Sequence, residues 1–128
     1  MYSITVTGHL DSAHYLREYQ GKCANPHGHR FSYQITLVGP ELDNLGMIVD
    51  FGDIKAIMKS TIEDYLDHKM LNDLYPFDKV NPTAENIAHW IYDEVYNTLH
   101  EGHVVSESYK LTKVRVYESP DASSEYWE

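Results

Sequence analysis

Two stretches of strict two-residue alternation place the strongest constraint on how this chain can fold. Apolar side chains occupy every second position of residues 2–6, and they do so again in residues 31–37. This period of two places successive side chains on opposite faces of a β-strand. Because Gly39-Pro40 closes the second stretch, we predict two strands that pair as a hairpin. Its long polar tip contains residues 18–26.

Two later segments have the spacing of helices instead. After Asp50, a residue suited to cap a helix, apolar residues recur every three or four positions. They are Ile54, Ile57, Met58, Ile62, Tyr65 and Leu66. A second helix is predicted to begin after Thr83, its expected N-cap, and to end near Gly102. Its buried stripe is expected to consist of Ile87, Ile91, Val95 and Leu99.

The C-terminal part of the chain predicts two more strands. Residues 112–117 have the pattern of a third strand, Ser119-Pro120-Asp121 that of a turn, and residues 125–127 that of a short fourth strand. The order strand, strand, helix, helix, strand, strand indicates an α+β fold, an antiparallel sheet with both helices on one face. With 128 residues in the chain, we expect a single domain spanning 1–128. The free sheet edges and the uncovered sheet face favour self-association.

Charge and hydropathy disfavour several classes of partner. Lys and Arg number 10 against 20 Asp and Glu, a formal net charge of −10, which opposes binding to nucleic acids and anionic membranes. The sequence has no apolar run near the roughly 20 residues of a membrane span, and its first residues lack the pattern of a secretory signal. The single cysteine, Cys23, cannot form an internal disulfide. We therefore expect a cytoplasmic protein.

Three histidines have the positions of a metal site on paired strands. If the second strand begins at His27, then His27 and His29 point to one face, the face of Phe31. His14 lies at the far end of the first strand and has the parity of Val6, so it is the nearest candidate for a third nitrogen donor. Three neutral imidazoles with an open position are typical of catalytic zinc. Spacing alone leaves open that these are polar loop histidines without a ligand.

Other reactive side chains are less specific on their own. Cys23 lies in a polar stretch rich in turn residues; it is a candidate base or nucleophile, a fourth metal ligand, or a small buried side chain. Asp67-His68 closes the first predicted helix, where such pairs are common. Glu118 shares the strand parity of Val114 and Val116, so its carboxylate is directed inward and requires donors. An arginine, backbone N–H groups or a planar ligand with two adjacent N–H groups would supply them.

Six short segments in fixed order carry a family resemblance over essentially the whole chain. They are Ser12-Ala13-His14; Cys23 followed by His27-Gly28-His29; Met47-Ile48-Val49-Asp50-Phe51; Leu66-Asp67-His68 with Leu71-Asn72-Asp73; Asn81-Pro82-Thr83-Ala84-Glu85-Asn86; and Val116-Tyr117-Glu118. Together they resemble the 6-pyruvoyl-tetrahydropterin synthase superfamily, and most closely its bacterial branch, the 6-carboxy-tetrahydropterin synthases of queuosine biosynthesis. Three residues separate Cys23 from His27; this spacing is usual in the carboxy-type branch, whereas five are usual in the pyruvoyl type.

The resemblance implies a role for each of these side chains. His14, His27 and His29 would hold Zn²⁺, while Cys23, Asp67 and His68 would transfer protons. Glu118 would anchor the pterin ring by accepting its amide and amino N–H groups. The fold implied is the T-fold, whose subunits associate into barrels as homo-oligomers with active sites at the subunit interfaces.

The implied activity is that of a zinc-dependent lyase. It would convert 7,8-dihydroneopterin triphosphate to 6-carboxy-5,6,7,8-tetrahydropterin, acetaldehyde and triphosphate. The alternatives are a pyruvoyl-type synthase, a variant that cleaves the side chain of dihydroneopterin, and a noncatalytic zinc-binding oligomer. Because the chain is acidic, a triphosphate requires local cations, and the candidates near the segments above are Arg17, Lys22, Arg30 and Lys69.

Overall fold

Four antiparallel strands form the sheet in the computed structural model, which describes residues 1–101 and 108–128. The strands lie in the spatial order β1-β2-β3-β4 and are β1 (Tyr2–His14), β2 (His27–Gly39), β3 (Lys110–Ser119) and β4 (Ala122–Trp127). The predicted strand order and antiparallel pairing are confirmed. All four strands are longer than their alternation alone predicts, because the ladder of hydrogen bonds continues through polar residues.

The first helix, α1, has three consecutive parts. It begins as the α-helix Phe51–Met58, continues as a π-helical turn over Lys59–Glu63, and ends as the α-helical turn Asp64–Leu66. Its N-cap is Asp50, as predicted, and the Asp50 carboxylate accepts the N–H of Gly52 at 2.7 Å.

The π-helical turn keeps the buried face of α1 aligned. Ile54, Met58, Ile62 and Leu66 are all buried and are spaced four residues apart. Such a stripe drifts around a regular α-helix, which has about 3.6 residues per turn. The wider π turn absorbs this drift, and the sequence pattern does not predict it. Tyr65, predicted on the buried face, is instead 37% exposed and stacks on Trp90.

The second helix, α2 (Ala84–Glu101), starts where the sequence predicts. Thr83 is its N-cap: the hydroxyl of Thr83 accepts the N–H of Asn86 at 3.2 Å, and the carbonyl of Thr83 accepts that of Ile87 at 2.9 Å. The predicted stripe is buried at every position, Ile87, Ile91, Val95 and Leu99. Its predicted end near Gly102 falls outside the described residues. None of the helices in the described ranges has the length and apolar content that crossing a membrane would require.

The two faces of the sheet differ in chemistry. One face packs against the helices around a core in which Leu10, Phe31 and Val114 are fully buried. The opposite face carries polar side chains, and there the carboxylate of Glu125 accepts hydrogen bonds from Arg115 and Lys113. These bonds, that of Arg115 first, lower the pKa of Glu125. The helices therefore cover one face, as predicted, and the other remains polar and open.

Gly8 is a point of close packing in the β1–β2 pair. Gly8 lies opposite Tyr33, and a Cβ at Gly8 would come within 2.5 Å of the Tyr33 ring. That ring is fully buried and its hydroxyl donates to Glu63 at 3.0 Å, so the ring has no room to move.

We expect Gly8→Ala to lower the free energy of unfolding by about 1–3 kcal/mol, measured by urea denaturation. In the matched control Gly28→Ala, the new Cβ meets only the Ser12 carbonyl at 3.9 Å. A change within about 0.5 kcal/mol is expected there, and equal losses in the two variants would contradict the packing account.

Candidate metal centre

Three histidine rings meet where β1 ends and β2 begins. His14 is the cross-strand partner of His27, and His29 follows two residues later on the same face. The ring centroid of His14 lies 4.6 Å from that of His27 and 5.1 Å from that of His29. The centroids of His27 and His29 are 4.9 Å apart. The buried ring of Phe31 lies beside two of them, 5.2 Å from His14 and 5.4 Å from His29. The structure thus brings together the three side chains that strand parity selects.

Backbone carbonyls determine which ring nitrogens are available. The Nδ1 atom of His14 lies 2.7 Å from the carbonyl oxygen of Pro82, and that of His27 lies 2.7 Å from the carbonyl oxygen of Asn25. A carbonyl only accepts, so both Nδ1 atoms carry the hydrogen, and the Nε2 atom of each neutral ring keeps its lone pair. Burial lowers the pKa of His14 and outweighs the opposing contribution of the bond to Pro82. His14 is therefore held in the neutral form that a metal ion requires.

The three Nε2 atoms are orphaned within the described chain. Each is buried, and no group of residues 1–101 and 108–128 forms a hydrogen bond with it. Buried polar atoms normally have a partner, so three of them at one point call for an explanation. A cation bound to all three lone pairs would satisfy them, with the Nδ1 contacts to Pro82 and Asn25 orienting the rings.

Glu118 completes the group from β3. Its Oε1 lies 3.0 Å from the Nε2 of His29 and 3.8 Å from that of His14, and one ligand atom from each of the four residues falls within 4.8 Å of every other. The β3–β4 register shifts between Tyr117 and Ser119, which makes Glu118 the extra residue of a bulge. Bulges often redirect a side chain next to a functional site. Three imidazoles and a carboxylate could hold a metal ion here.

Cys23 is not a member of this group. It lies half-buried in the 3-10 turn Lys22–Ala24, and its carbonyl accepts the N–H of Leu16 at 2.8 Å. The turn is thereby tied to the chain that follows β1. In the part of the chain that the structure describes, the fourth potential ligand atom near the histidines is thus on the Glu118 carboxylate and not the Cys23 thiol.

Asp67 and His68 form a dyad beside β1. The Oδ2 of Asp67 lies 2.9 Å from the Nδ1 of His68, and its Oδ1 accepts the N–H of Asp11 at 2.8 Å. Partial burial raises the pKa of Asp67, but the N–H of Asp11 and the contacts with His68 outweigh it, so the pKa lies below its usual value. Asp67 is therefore a carboxylate at neutral pH. The imidazole of His68 is 76% exposed, so its Nε2 remains open to a reactant.

Backbone pairing places this dyad near the histidine group. The N–H of His68 donates to the carbonyl of Asp11 at 2.8 Å, and the N–H of Ala13 donates to the carbonyl of Lys69 at 2.9 Å. A parallel bridge between Ala13 and Met70 continues this pairing. His68 has a positive φ of 57°, which turns the chain from α1 onto β1. Within the described chain no hydrogen bond joins Cys23 to either member of the dyad.

Two asparagines that the sequence patterns do not single out hold the chain after His14. The Asn72 amide donates to the carbonyl of Tyr15 and accepts its N–H, both at 2.9 Å. The Asn81 amide pairs with Arg17 in the same way, at 2.8 and 3.1 Å. Each amide imitates the backbone of a neighbouring strand. The only sequence signal was their place in the family-like segments, which carries no role by itself.

The same contacts engage one of the candidate phosphate-binding cations. The Arg17 guanidinium donates to the carbonyls of Phe77 at 2.9 Å and Asn72 at 3.3 Å. These donors therefore stabilise the fold, and a contact of Arg17 with phosphate stays a prediction.

Comparison with known proteins agrees with this architecture. A family model described as 6-pyruvoyl tetrahydropterin synthase matches residues 3–128. A Rickettsia conorii protein named 6-carboxy-5,6,7,8-tetrahydropterin synthase is 33% identical over 88% of this chain and 90% of its own. A Dictyostelium discoideum protein named 6-pyruvoyl tetrahydrobiopterin synthase is 34% identical over 62% of this chain and 59% of its own.

A solved structure shows the same fold. The 6-pyruvoyl tetrahydropterin synthase of Caenorhabditis elegans matches 99% of this chain and 95% of its own, with a TM-score of 0.81 and 26% identity. The predicted T-fold is confirmed, whereas the barrel that subunits would form remains a prediction.

The paired hydrogen bonds between the Asn72 amide and the backbone of Tyr15, here called the Asn72 clamp, yield a stability prediction. Its amide is buried, and truncation would leave the N–H and carbonyl of Tyr15 without their partners. We expect Asn72→Ala to lower the free energy of unfolding by about 1–3 kcal/mol, measured by urea denaturation. Asn44→Ala, at an exposed loop position, is the matched control and should change stability by less than about 0.5 kcal/mol. If both variants are as stable as the parent, the clamp does not hold the chain.

The histidine group yields a metal-binding prediction. We expect the demetallated protein to bind one equivalent of Zn²⁺ or Co²⁺ per chain, measured by competition with a chromophoric chelator. His29→Ala removes one of the converging Nε2 atoms and should weaken binding by at least about tenfold. His9→Ala is the control, since His9 lies exposed on β1 with the opposite parity to His14. Equal affinities for the His29 variant and the parent would contradict the assignment.

Proposed function

The chain belongs to the 6-pyruvoyl tetrahydropterin synthase family, and from that premise we propose that it is a zinc-dependent lyase of queuosine biosynthesis. Its substrates would be 7,8-dihydroneopterin triphosphate and water, and its products 6-carboxy-5,6,7,8-tetrahydropterin, acetaldehyde and triphosphate. The observation that carries the proposal is the convergence, in a chain of this family, of three buried Nε2 atoms that have no hydrogen-bond partner among the described residues. The carboxy-type name of the Rickettsia conorii relative and the three residues between Cys23 and His27 support this branch.

We assign the metal ligands to His14, His27 and His29. Neutral imidazoles presenting Nε2 are characteristic zinc ligands, and the Nδ1 contacts of His14 and His27 to backbone carbonyls give these two rings that tautomer. A bound zinc ion would act as a Lewis acid that polarises the side-chain hydroxyl groups of the substrate and acidifies the adjacent C–H.

The proton transfers fall to Cys23 and to the dyad of Asp67 and His68. The thiolate of Cys23 would remove or relay one proton, and His68 would handle a second one at its open Nε2 while triphosphate leaves. Asp67 keeps the ring of His68 oriented through its Nδ1 contact of 2.9 Å. The exposure of His68 suits a group that completes its site with a reactant or a neighbouring subunit.

Glu118 would anchor the pterin ring. Its carboxylate accepts hydrogen bonds only, which matches the adjacent amide and amino N–H groups on one edge of a pterin. The side chain is 33% exposed and lies next to the histidine group. A ring held there would have its reacting side chain beside the metal ligands.

A homo-oligomer is the proposed working form, with single-domain subunits spanning 1–128 and active sites at their interfaces. The open polar face of the sheet and the free edge of β4 support association through the sheet. Contact between subunits would also bring together Cys23 and His68, which form no hydrogen bond within the described part of one chain.

The second candidate is a pyruvoyl-type synthase, which eliminates triphosphate without carbon–carbon cleavage. The names of the Dictyostelium discoideum relative and of the Caenorhabditis elegans structure favour it. A noncatalytic zinc-binding oligomer is disfavoured because Cys23, Asp67, His68 and Glu118 are all present.

The products distinguish these candidates directly. We expect the zinc-loaded protein, incubated with 7,8-dihydroneopterin triphosphate, to release the carboxy-tetrahydropterin and acetaldehyde, identified by mass spectrometry. Prior chelation should abolish both products. A pyruvoyl product would support the pyruvoyl-type synthase, and unchanged substrate would support the noncatalytic zinc-binding oligomer.

Removal of the Cys23 thiol tests its proton-transfer role. Cys23→Ala should lower turnover by at least about 100-fold, because a positioned acid or base contributes on that order. Its zinc content, measured by atomic absorption, should match the parent, since the thiol is outside the group of ligand atoms. Loss of zinc in this variant would make Cys23 a ligand and contradict the assignment. Ser60→Ala, on the exposed side of α1, should leave turnover and zinc content unchanged.

A further inference from the structure

A cleft lies between α1 and α2 on the solvent side of the two helices. Its volume is about 450 Å³, which is within the range of small-molecule sites. Its lining includes the aromatic residues Tyr65, Tyr75 and Trp90, the hydroxyl-bearing residues Thr61 and Thr98, and Glu94. None of these residues belongs to the candidate metal centre or to the dyad of Asp67 and His68. We call this feature the α1–α2 cleft.

Two pairs of side chains bridge the helices at the ends of the cleft. Tyr65 of α1 stacks on Trp90 of α2, with ring centroids 5.5 Å apart and ring planes at 24°. The hydroxyl oxygens of Thr61 and Thr98 lie 3.4 Å apart. Glu94 lies on α2 four residues from both Trp90 and Thr98, so it shares their helix face. It is therefore the residue of α2 that faces the middle of the cleft.

The carboxylate of Glu94 lacks a partner of opposite charge. Among residues 1–101 and 108–128, no hydrogen bond or ion pair engages it. Partial burial raises the pKa of Glu94, and the like charges of Asp93 and Glu101 raise it further. A half-buried carboxylate in such surroundings is stabilised by a cation that donates hydrogen bonds to it.

The hydroxyl groups of the cleft offer acceptors and not donors. The hydroxyl of Thr98 donates to the backbone carbonyl of Glu94 at 2.8 Å. Its hydrogen is engaged there, so Thr61 is the donor in the contact between the two threonines. The hydroxyl of Tyr65 donates to the carbonyl of Tyr75 at 2.8 Å. These three oxygens keep lone pairs for a ligand, but their hydrogens are already used.

The aromatic rings and the overall charge favour the same class of ligand. The face of a tyrosine or tryptophan ring attracts a cation, and Tyr65 and Tyr75 are 37% and 72% exposed. The formal net charge of −10 attracts cations to the surface as a whole. Thr61 also lies in the π-helical turn Lys59–Glu63, and such turns recur at functional sites.

We propose that the α1–α2 cleft binds the primary ammonium group of a small alkyl amine. The three N–H donors of an ammonium group match the Glu94 carboxylate and the neighbouring hydroxyl oxygens. The alkyl chain would lie against Tyr65 and Trp90. The size of the cleft favours a small molecule over a lysine of a protein partner, because a stable protein interface covers roughly 800 Å² on each partner.

The side-chain signal of Trp90 tests the site in the parent protein. The chain has two tryptophans, so its ¹H–¹⁵N spectrum contains two indole N–H signals, and Trp127→Phe identifies the signal of Trp127. Titration with n-butylamine, which is protonated at neutral pH, should shift the Trp90 signal to saturation and leave that of Trp127 in place. The neutral analogue n-butanol should bind at least about tenfold more weakly. Equal binding of the two compounds, or no shift of the Trp90 signal, would overturn the proposal.

Variants of the cleft test the residues assigned to it. Glu94→Gln keeps the shape of the side chain and loses its charge, and it should weaken n-butylamine binding by at least about tenfold. Tyr65→Leu should weaken binding by about two- to fivefold, because the aromatic face is lost. Glu85→Gln, at an exposed position elsewhere on α2, is the matched control and should bind like the parent. Parental affinity in Glu94→Gln would contradict the assignment.

Two further compounds distinguish the class and the source of the ligand. Tetramethylammonium has no N–H group and should bind more weakly than n-butylamine, whereas tighter binding would replace the primary ammonium by a quaternary one. A blocked tripeptide with a central lysine should bind no more tightly than n-butylamine, whereas tighter binding would assign the cleft to a protein partner. All of these experiments measure binding and not turnover, so their outcome is independent of the proposed lyase activity.

Discussion

The register between β1 and β2 is the constraint on which the rest of the site depends. It runs without interruption from Tyr2 opposite Gly39 to His14 opposite His27. A slip of one residue would turn every side chain of one strand to the other face. The buried positions Val6 and Leu10 on β1 hold the register, so the same packing that forms the core also aligns the histidines. Hydrophobic packing along the hairpin therefore also positions the candidate metal ligands.

The remaining parts of the site are supplied by segments that follow the helices. The chain after α1 pairs with the edge of β1 and brings Asp67 and His68 there. The chain before α2 supplies the Pro82 carbonyl that orients the ring of His14. Asn72 and Asn81 hold the chain beyond His14 against these two segments. Side-chain amides thus position irregular backbone, because an amide has a fixed geometry and pairs with both the N–H and the carbonyl of the residue that it contacts.

Periodicity was sufficient to predict those parts of the structure that follow from local pattern. The parity of His14, His27 and His29, the inward direction of Glu118, and the caps Asp50 and Thr83 all follow from residue spacing. The π turn of α1 and the bulge at Glu118 could not be predicted this way, because each corrects a mismatch that arises only when elements pack together. The exposure of Tyr65 has the same origin, since the π turn changes which residues face the core. The proposed roles of Cys23, Asp67 and His68 rest on family resemblance, because no spacing rule relates Cys23 to residues so far away in the sequence.

The proposed function depends on one metal ion bound by the Nε2 atoms of His14, His27 and His29. Anomalous diffraction at the zinc edge, from crystals of the zinc-loaded protein without substrate, tests it most directly. We expect one strong peak per chain at about 2.0–2.1 Å from the Nε2 atoms of His14, His27 and His29. A peak at another position, or bonds through Nδ1, would contradict it.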